Sequence, residues 1–245
     1  MSDLARFPDR ARALVVGASG GIGSALADRL DAHPRFDTVL RTARHPAAAS
    51  DVLTLDLTRD ASIDACAAAV RERTDTLHLV LICAGLLHDD PAGVKPEKRL
   101  QDLSRDALAR SFDVNAVGPL LLARALAPLV PRRDHAVWGT LSARVGSIED
   151  NRLGGWYAYR AAKAAQNMFT RNLAIELGRR HRGLAVVALH PGTVATDLSA
   201  PFRAPDAAGV FTPETSAARL LEVVDGLDAS ATGRFLAWDG SEIPW

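Results

Sequence analysis

A glycine-rich turn near the N-terminus, Gly17-Ala-Ser-Gly-Gly-Ile-Gly23, constrains the fold more than any other part of the chain. The apolar run Ala13-Leu-Val-Val16 comes directly before it, and a stretch with helical patterning, residues 22–30, follows. This order predicts a buried strand, a tight turn and a helix N-terminus. Because glycine has no Cβ, backbone amides can come close to a phosphate there, and a helix N-terminus favours negative charge. The segment therefore predicts a dinucleotide-binding unit.

Short apolar runs alternate with longer helical patterns along the rest of the chain. Seven strands are predicted, at residues 13–16, 38–42, 52–55, 77–82, 136–141, 185–190 and 234–238. Helices are predicted at residues 22–32, 62–73, 104–129, 157–180 and 213–226. Apolar strands that alternate with helices favour a parallel sheet covered on both faces. We therefore predict an α/β fold, a Rossmann-like doubly wound parallel sheet of about seven strands, with residues 1–245 forming a single domain.

Composition narrows the partners of the chain. The formal net charge is +0, so no broad basic field favours nucleic acid or an anionic membrane. No run approaches the ~18 apolar residues of a spanning helix. The two cysteines, Cys66 and Cys83, are too few for a disulfide framework, which favours a cytoplasmic location. No metal site is expected. The predicted partner is a small molecule.

Tyr159 and Lys163 form a second informative pattern. They lie four positions apart on a predicted helix and so share a face. An ammonium group beside a phenol favours the phenolate and lowers a tyrosine pKa that is normally about 10. We therefore expect Tyr159 to donate and accept a proton near neutral pH.

These patterns, together with Asp56, Cys83-Ala-Gly85, Asn115 and Pro191-Gly192, resemble the short-chain dehydrogenase/reductase superfamily over essentially the whole chain. Residues 146–151, 154–160 and 238–245 narrow the resemblance to the C-factor branch, which includes sniffer-like carbonyl reductases. The resemblance implies hydride transfer between a nicotinamide and a carbonyl or alcohol substrate, with Tyr159 as general acid and base. Lys163 and Asn115 are the implied further catalytic residues.

Two other functions stay open on the same fold. One is a dinucleotide-binding signalling or sensor protein of C-factor type with little turnover. The other is a dehydratase or epimerase that holds its cofactor tightly.

The resemblance also implies a set of residues around the cofactor. They are Gly17, Ser19, Gly21, Ile22, Gly23, Arg44, Asp56, Leu57, Ala84, Gly85, Tyr159, Lys163, Pro191, Gly192, Thr193, Val194 and Thr196. At the end of the second strand, Ala43 stands where the acid of NAD-type members would lie, and Arg44 follows it. We predict that NADP(H) is preferred over NAD(H), with Arg44 on the 2′-phosphate and Arg41 the weaker candidate. Gly20 stands where many NADP-type members carry a second basic residue.

The serine that binds the substrate carbonyl in this family has no clear counterpart. Alignment on Gly146 puts Ala143 at its position, with Ser142 just before it and Ser147 just after the glycine. Ser142, Ser147 or neither could supply the hydroxyl. Ser142 is favoured because an irregular strand end could turn it inward.

Pro119 has a predicted effect on Asn115. Proline has no N–H, so the carbonyl of Asn115 loses its normal helical partner four residues on. The helix is expected to kink, and the free carbonyl could hold a water that feeds a proton relay through Lys163. Alternatively, Pro119 merely begins the continuous part of the helix.

Loops and long helices define the remaining expectations. Residues 88–98, 144–156 and 193–210 are expected to form the substrate pocket. The helices at 104–129 and 157–180 are those that related enzymes use to form dimers or tetramers, so a homo-oligomer is predicted.

Overall fold

The computed structural model describes residues 2–48, 50–90 and 93–245, and a seven-stranded parallel sheet lies at its centre. In chain order its strands are β1 (Ala11–Val16), β2 (Phe36–Ala43), β3 (Leu53–Thr54), β4 (Leu79–Ile82), β5 (Ala136–Leu141), β6 (Leu184–His190) and, after two short strands described below, β9 (Phe235–Ala237). The spatial order is β3-β2-β1-β4-β5-β6-β9. The chain winds one way from β1 to β3 and the other way from β4 onward. This doubly wound order leaves a crevice at the carboxyl ends of β1 and β4.

Helices cover both faces of the sheet. In chain order they are α1 (Gly21–Asp31), α2 (Asp60–Arg73), α3 (Arg105–Phe112), α4 (Gly118–Leu126), α5 (Tyr157–Gly178) and α6 (Pro213–Gly226). Alternate residues of β1 divide the core, since Ala13 and Val15 pack with α1 and α6, whereas Leu14 and Val16 pack with α2 and α4. The period of two explains why the strands are apolar throughout. The predicted fold class is confirmed.

The long helix predicted at residues 104–129 is interrupted. A π-helical turn, Asp113–Val117, separates α3 from α4, and a 3₁₀ turn, Ala127–Leu129, follows α4. The Gly118 N–H donates to the carbonyl of Asp113, five residues earlier. Pro119, which has no N–H to donate to Asn115, is the second residue of α4.

The stretch Arg105–Leu129 corrects the expectation that no segment is long and apolar enough for a spanning helix. Taken as a whole, it is long and apolar enough to cross a membrane by length and a mean hydropathy of 1.2 alone. In the structure its α4 part places Leu122 and Leu126 in the core beside the sheet, as a core helix of a folded domain does.

Two predicted loops contain more structure than expected. Strands β7 (Thr193–Val194) and β8 (Val210–Phe211) pair in parallel and bring the two ends of the 195–209 loop side by side. In the loop after β4, Asp89 pairs with Val94 in an isolated bridge, and Glu97 is buried. Residues 91 and 92 of that loop lie outside the described part of the chain.

Candidate active site

The glycine turn lies at the carboxyl end of β1, packed against neighbouring backbone. Gly17 has φ +81°, and a Cβ on it would lie 2.9 Å from the backbone N of Ala84. A Cβ on Gly23 would lie 2.3 Å from the carbonyl oxygen of Gly17. A Cβ on Gly21 would lie 3.0 Å from Cγ2 of Thr196. The structure thus brings five predicted cofactor residues together in a cradle that side chains would fill.

The start of α1 has no side chain that competes for its N–H groups. Gly20 is the residue before the helix and gives no side-chain cap, and the first turn carries no acid. The first N–H groups of a helix lack partners within the helix. Ser19 is exposed and Ile22 partly buried at this point. The cradle therefore fits the pyrophosphate of a dinucleotide.

Two arginines at the end of β2 have different surroundings. Arg41 pairs with Asp28 at 2.7 Å and also with Asp31, both on α1. Arg44 is exposed, and within the described ranges it forms no ion pair. Arg44 is therefore the arginine available to a phosphate.

Asp56 follows β3 and keeps its charge. Partial burial opposes its ionisation, whereas the N–H and hydroxyl of Thr58 donate hydrogen bonds to its carboxylate at 3.0 and 2.7 Å. Together with the charges of Arg110 and Arg44, they lower the pKa of Asp56. Leu57, the next residue, is buried.

Tyr159 and Lys163 lie together near the start of α5. Tyr159 is 8% exposed and Lys163 3% exposed, and Nζ of Lys163 is 5.8 Å from the centre of the Tyr159 ring. The ammonium group donates to the carbonyl oxygen of Leu141 at 2.9 Å and to Oε1 of Gln166 at 3.1 Å. The strand end of β5 thus fixes the lysine beside the phenol.

The expected direction of the tyrosine pKa shift is wrong for the protein's own groups. Burial raises the pKa of Tyr159, and burial also lowers the pKa of Lys163 to about 7. The Lys163 ammonium donates its hydrogen bonds to Leu141 and Gln166 and not to the phenol. Desolvation of the phenol therefore outweighs the ammonium–phenolate attraction that the sequence spacing suggested. Tyr159 is accordingly protonated at neutral pH and suited to donate a proton.

Asn115 lies in the π-helical turn and is buried. Its Oδ1 accepts from the N–H of Leu86 at 2.9 Å, and its Nδ2 donates to the carbonyl of Leu86 at 2.7 Å. A Cβ on Gly85 would lie 3.4 Å from Asn115 Oδ1 and 3.8 Å from Lys163 Nζ. Asn115 therefore holds the turn after β4 next to the lysine.

The two candidate serines both have partners. The Ser142 hydroxyl donates to Oδ1 of Asn167 on α5 at 2.6 Å, and Ser142 is buried. Oγ of Ser147 accepts from the N–H of Asp150 at 3.0 Å. Ala143, between them in sequence, has extended backbone. The Ser142 hydroxyl therefore donates its hydrogen bond to another group of the protein. Its catalytic role stays a prediction.

The turn after β6 is supported from behind by aromatic rings. Gly192 has φ +83°, and a Cβ on it would lie 2.7 Å from the Phe211 ring and 3.1 Å from Trp238. The hydroxyl of Ser216 on α6 donates to the Pro191 carbonyl at 2.9 Å. Trp238 is thus a packing residue. Thr193 and Val194, which form β7, continue this turn towards Thr196.

The loops expected to form the substrate pocket, at residues 88–98, 144–156 and 193–210, each contribute a ring to one side of the site. The Trp156 ring meets Tyr159 edge-on, with centroids 6.4 Å apart, and Phe202 lies 5.2 Å from Trp156. His88 meets Phe202 at 5.8 Å. Phe202 is the one aromatic residue in the 197–206 segment, and that was the available sequence signal for it.

Comparison with known proteins agrees with this geometry. The short chain dehydrogenase family matches residues 11–207. The 1-hydroxy-2-glutathionyl-2-methyl-3-butene dehydrogenase of Rhodococcus sp. (strain AD45) is 35% identical over 238 residues, covering 95% of this chain and 98% of that protein. C-signal of Myxococcus xanthus is 38% identical over 149 residues, covering 60% of this chain and 83% of that protein.

A solved structure extends the likeness to the whole fold. The NADPH-bound carbonyl reductase from chicken fatty liver has a TM-score of 0.83 and 28% identity, covering 98% of this chain and 100% of that one. The predicted resemblance to the C-factor and carbonyl reductase branch is confirmed. The chain therefore belongs to the short-chain dehydrogenase family and is an oxidoreductase of that family.

Proposed function

We propose that this oxidoreductase is an NADP(H)-dependent carbonyl reductase in which Tyr159 gives its proton to the substrate oxygen. The observation that carries the proposal is a buried Tyr159 beside Lys163, at the sheet edge that also holds the glycine cradle. Nicotinamide supplies the hydride when bound. The carbonyl carbon gains that hydride and the oxygen gains the tyrosine proton, which together form an alcohol.

Lys163 and Asn115 would return the proton to Tyr159. Because burial lowers the pKa of Lys163 to about 7, its amine can hold or release a proton near neutral pH. The backbone carbonyl of Asn115 cannot accept a hydrogen bond from Pro119, because proline has no N–H. The side chain of Asn115 is held in place by the backbone of Leu86. We infer that a water on this carbonyl links Lys163 to solvent.

Preference for NADP(H) over NAD(H) is part of the proposal. Arg44 supports it because the arginine is exposed near Asp56 while Arg41 is held by α1. Arginine binds phosphate through charge-assisted hydrogen bonds. The NADPH in the chicken carbonyl reductase structure agrees with this preference. The measurement is kcat/KM with NADPH and with NADH on one substrate, and a preference for NADH would refute it.

A signalling or sensor protein with little turnover is the second candidate. Ala143 brings no hydroxyl, and the Ser142 hydroxyl donates to Asn167 instead of pointing its O–H at a substrate. The similarity to C-signal points the same way.

One screen separates these functions. Aldehydes, ketones and quinones are offered with NADPH to the wild type, and NADPH binding is measured by titration. Turnover supports the reductase. Tight NADPH binding with no turnover on any carbonyl would reject it in favour of the sensor, and cofactor carried through purification without net oxidation would favour a dehydratase or epimerase.

Assembly and location remain proposals as well. Val117, Met168 and Ile175 are exposed apolar residues on the helical stretches expected to form a dimer or tetramer. Light scattering during gel filtration measures the oligomeric state. We also propose that the chain is one domain and acts in the cytoplasm on a small molecule.

A further inference from the structure

The helix that carries Tyr159 begins without a cap of its own. Trp156, the residue before α5, has a left-handed backbone (φ +50°, ψ +46°) and gives no side-chain cap. The first turn of this 22-residue helix contains no acidic residue. Its N-terminal N–H groups therefore need partners from elsewhere in the fold.

Glu97, in the loop after β4, supplies one such partner and also binds the residue before the helix. Its Oε2 accepts from the N–H of Ala158 at 3.1 Å, and its backbone carbonyl accepts from the N–H of Trp156 at 2.5 Å. The two bonds bracket the first residue of α5 and come from a residue 61 positions before Ala158. One residue thus fixes both the left-handed turn and the first turn of the helix.

The burial of Glu97 is costly for a residue that only packs. The side chain is 3% exposed, and its Oε1 has no hydrogen-bond partner within the described ranges. A buried carboxylate with an unsatisfied oxygen loses hydration that a methionine or leucine would not lose. The positive end of the α5 dipole offsets part of this loss.

The residues that Glu97 holds are those that meet the reacting centre. Tyr159 follows Ala158 directly, and the Trp156 ring lies against both Tyr159 and Phe202. A shift of the first turn would move the phenol and its aromatic wall together. We propose that Glu97 is a positioning residue for the reaction, which sets Trp156 and the start of α5 so that the Tyr159 hydroxyl meets the substrate oxygen. This inference rests on the proposed reductase function.

Two conservative variants test it by separating geometry from charge. Glu97→Gln keeps the length and the acceptor oxygen but removes the charge, whereas Glu97→Asp keeps the charge on a shorter side chain. We expect Glu97→Asp to lower kcat about 10-fold or more, since misplacement of about 1 Å can cost as much as 100-fold. We expect Glu97→Gln to retain most of kcat, and NADPH affinity to be unchanged in both.

Asp228→Ala is the matched control. Its exposed carboxylate caps the short 3₁₀ helix 229–231 through the N–H of Ser230 at 2.9 Å, so loss of this cap should lower stability and leave kcat intact. Wild-type kcat in Glu97→Asp, or an equal loss in Glu97→Gln and Glu97→Asp, would overturn the proposal.

Hydrogen exchange gives a readout that needs no turnover. In the protein without cofactor, the N–H of Ala158, which bonds the Glu97 side chain, should exchange faster in Glu97→Asp than in the wild type and Glu97→Gln. Unchanged exchange in Glu97→Asp refutes positioning by Glu97. A wild type that reduces no carbonyl refutes the reductase function instead, while the exchange result still decides whether Glu97 holds the helix.

Discussion

The proposed cofactor half of the site, around Gly17 and Gly23, and the proposed catalytic half, around Tyr159, are held together by different kinds of contact. Around Gly17 and Gly23 the contacts are between backbone segments, at distances that no Cβ would permit. Around Tyr159 the contacts are between side chains and distant backbone, such as Lys163 with the carbonyl of Leu141. The cofactor half depends on glycines, which have no side chain. The catalytic half depends on contacts that particular side chains make.

This difference means that the two halves should fail separately. A substitution in the cradle should weaken the cofactor complex whatever the substrate. A substitution at the start of α5 should slow the reaction of a complex that still forms. Each prediction below tests one side of that division.

The largest effect is expected at the phenol. Tyr159→Phe keeps the ring that packs against Trp156 but removes the proton donor, so kcat should fall about 100-fold to 10,000-fold. NADPH affinity, measured by fluorescence titration, should stay close to that of the wild type. A variant with near wild-type kcat would show that another group protonates the substrate.

Gly17→Ala should disrupt the cofactor half of the site. The left-handed backbone at φ +81° and the contact 2.9 Å from Ala84 should together lower the free energy of unfolding by about 3 kcal/mol and displace the amides proposed to bind the cofactor phosphates. NADPH binding should weaken more than kcat at saturating NADPH. Gly20→Ala is the control within the same turn, because its Cβ would meet nothing closer than 3.5 Å. Equal stability and NADPH affinity of the two variants would contradict the prediction.

Arg44 should decide between the two cofactors. Arg44→Ala should lower the NADPH to NADH ratio of kcat/KM by about 10-fold to 100-fold, the range for charge-assisted hydrogen bonds of about 1.5 to 3 kcal/mol. Arg41→Ala should leave the ratio nearly unchanged, since Asp28 and Asp31 hold that arginine on α1. The opposite ranking of the two variants would move the phosphate contact to Arg41.

The sequence predicts the glycine turn and its place at the edge of the sheet because their determinants are local. A glycine spacing after an apolar run defines a turn, and the alternation of strands and helices defines the sheet edge where it lies. The break before Pro119 is also local, because a missing N–H is visible in the residue itself, although its π-helical form is not.

The catalytic half resists such prediction because its contacts join distant segments. No spacing rule connects Glu97 with Ala158, or Ser142 with Asn167. The pKa of Tyr159 shows the same limit, because four-residue spacing predicts proximity to Lys163 but not the burial that governs both groups. Strand β3 has two residues where the sequence predicts four, at 52–55. Its length is set by pairing with β2 at the edge of the sheet and not by apolar content.

Lys163 should also leave a signature in stability. Burial lowers its pKa in the folded protein from 10.5 to about 7, so above pH 7 the unfolded chain binds more protons than the folded one. The free energy of unfolding should therefore rise by about 1 to 2 kcal/mol between pH 7 and about pH 8.5. The window ends there because burial raises the pKa of Cys66 to about 11 and that of Cys83 to about 12, and the two thiols together reverse the slope above pH 9.

Urea unfolding of the wild type and Lys163→Met across this range isolates the lysine. The variant lacks the titrating amine, so the difference between the two proteins should carry the slope while the cysteines cancel. Parallel pH profiles would mean that Lys163 stays charged in the folded protein.

The smallest effect is expected at Ser142. The Ser142 hydroxyl donates to Oδ1 of Asn167, so Ser142→Ala should mainly remove a buried hydrogen bond and lower the free energy of unfolding by about 1 kcal/mol. Ser147→Ala serves as the matched comparison, because that hydroxyl accepts from Asp150 across a local turn. Small changes of kcat in both variants would leave Tyr159 as the donor to the substrate oxygen. A loss of about 100-fold in one variant alone, the range for removing one such donor, would identify that serine as the second donor. If that serine is Ser142, its bond to Asn167 must open when substrate arrives.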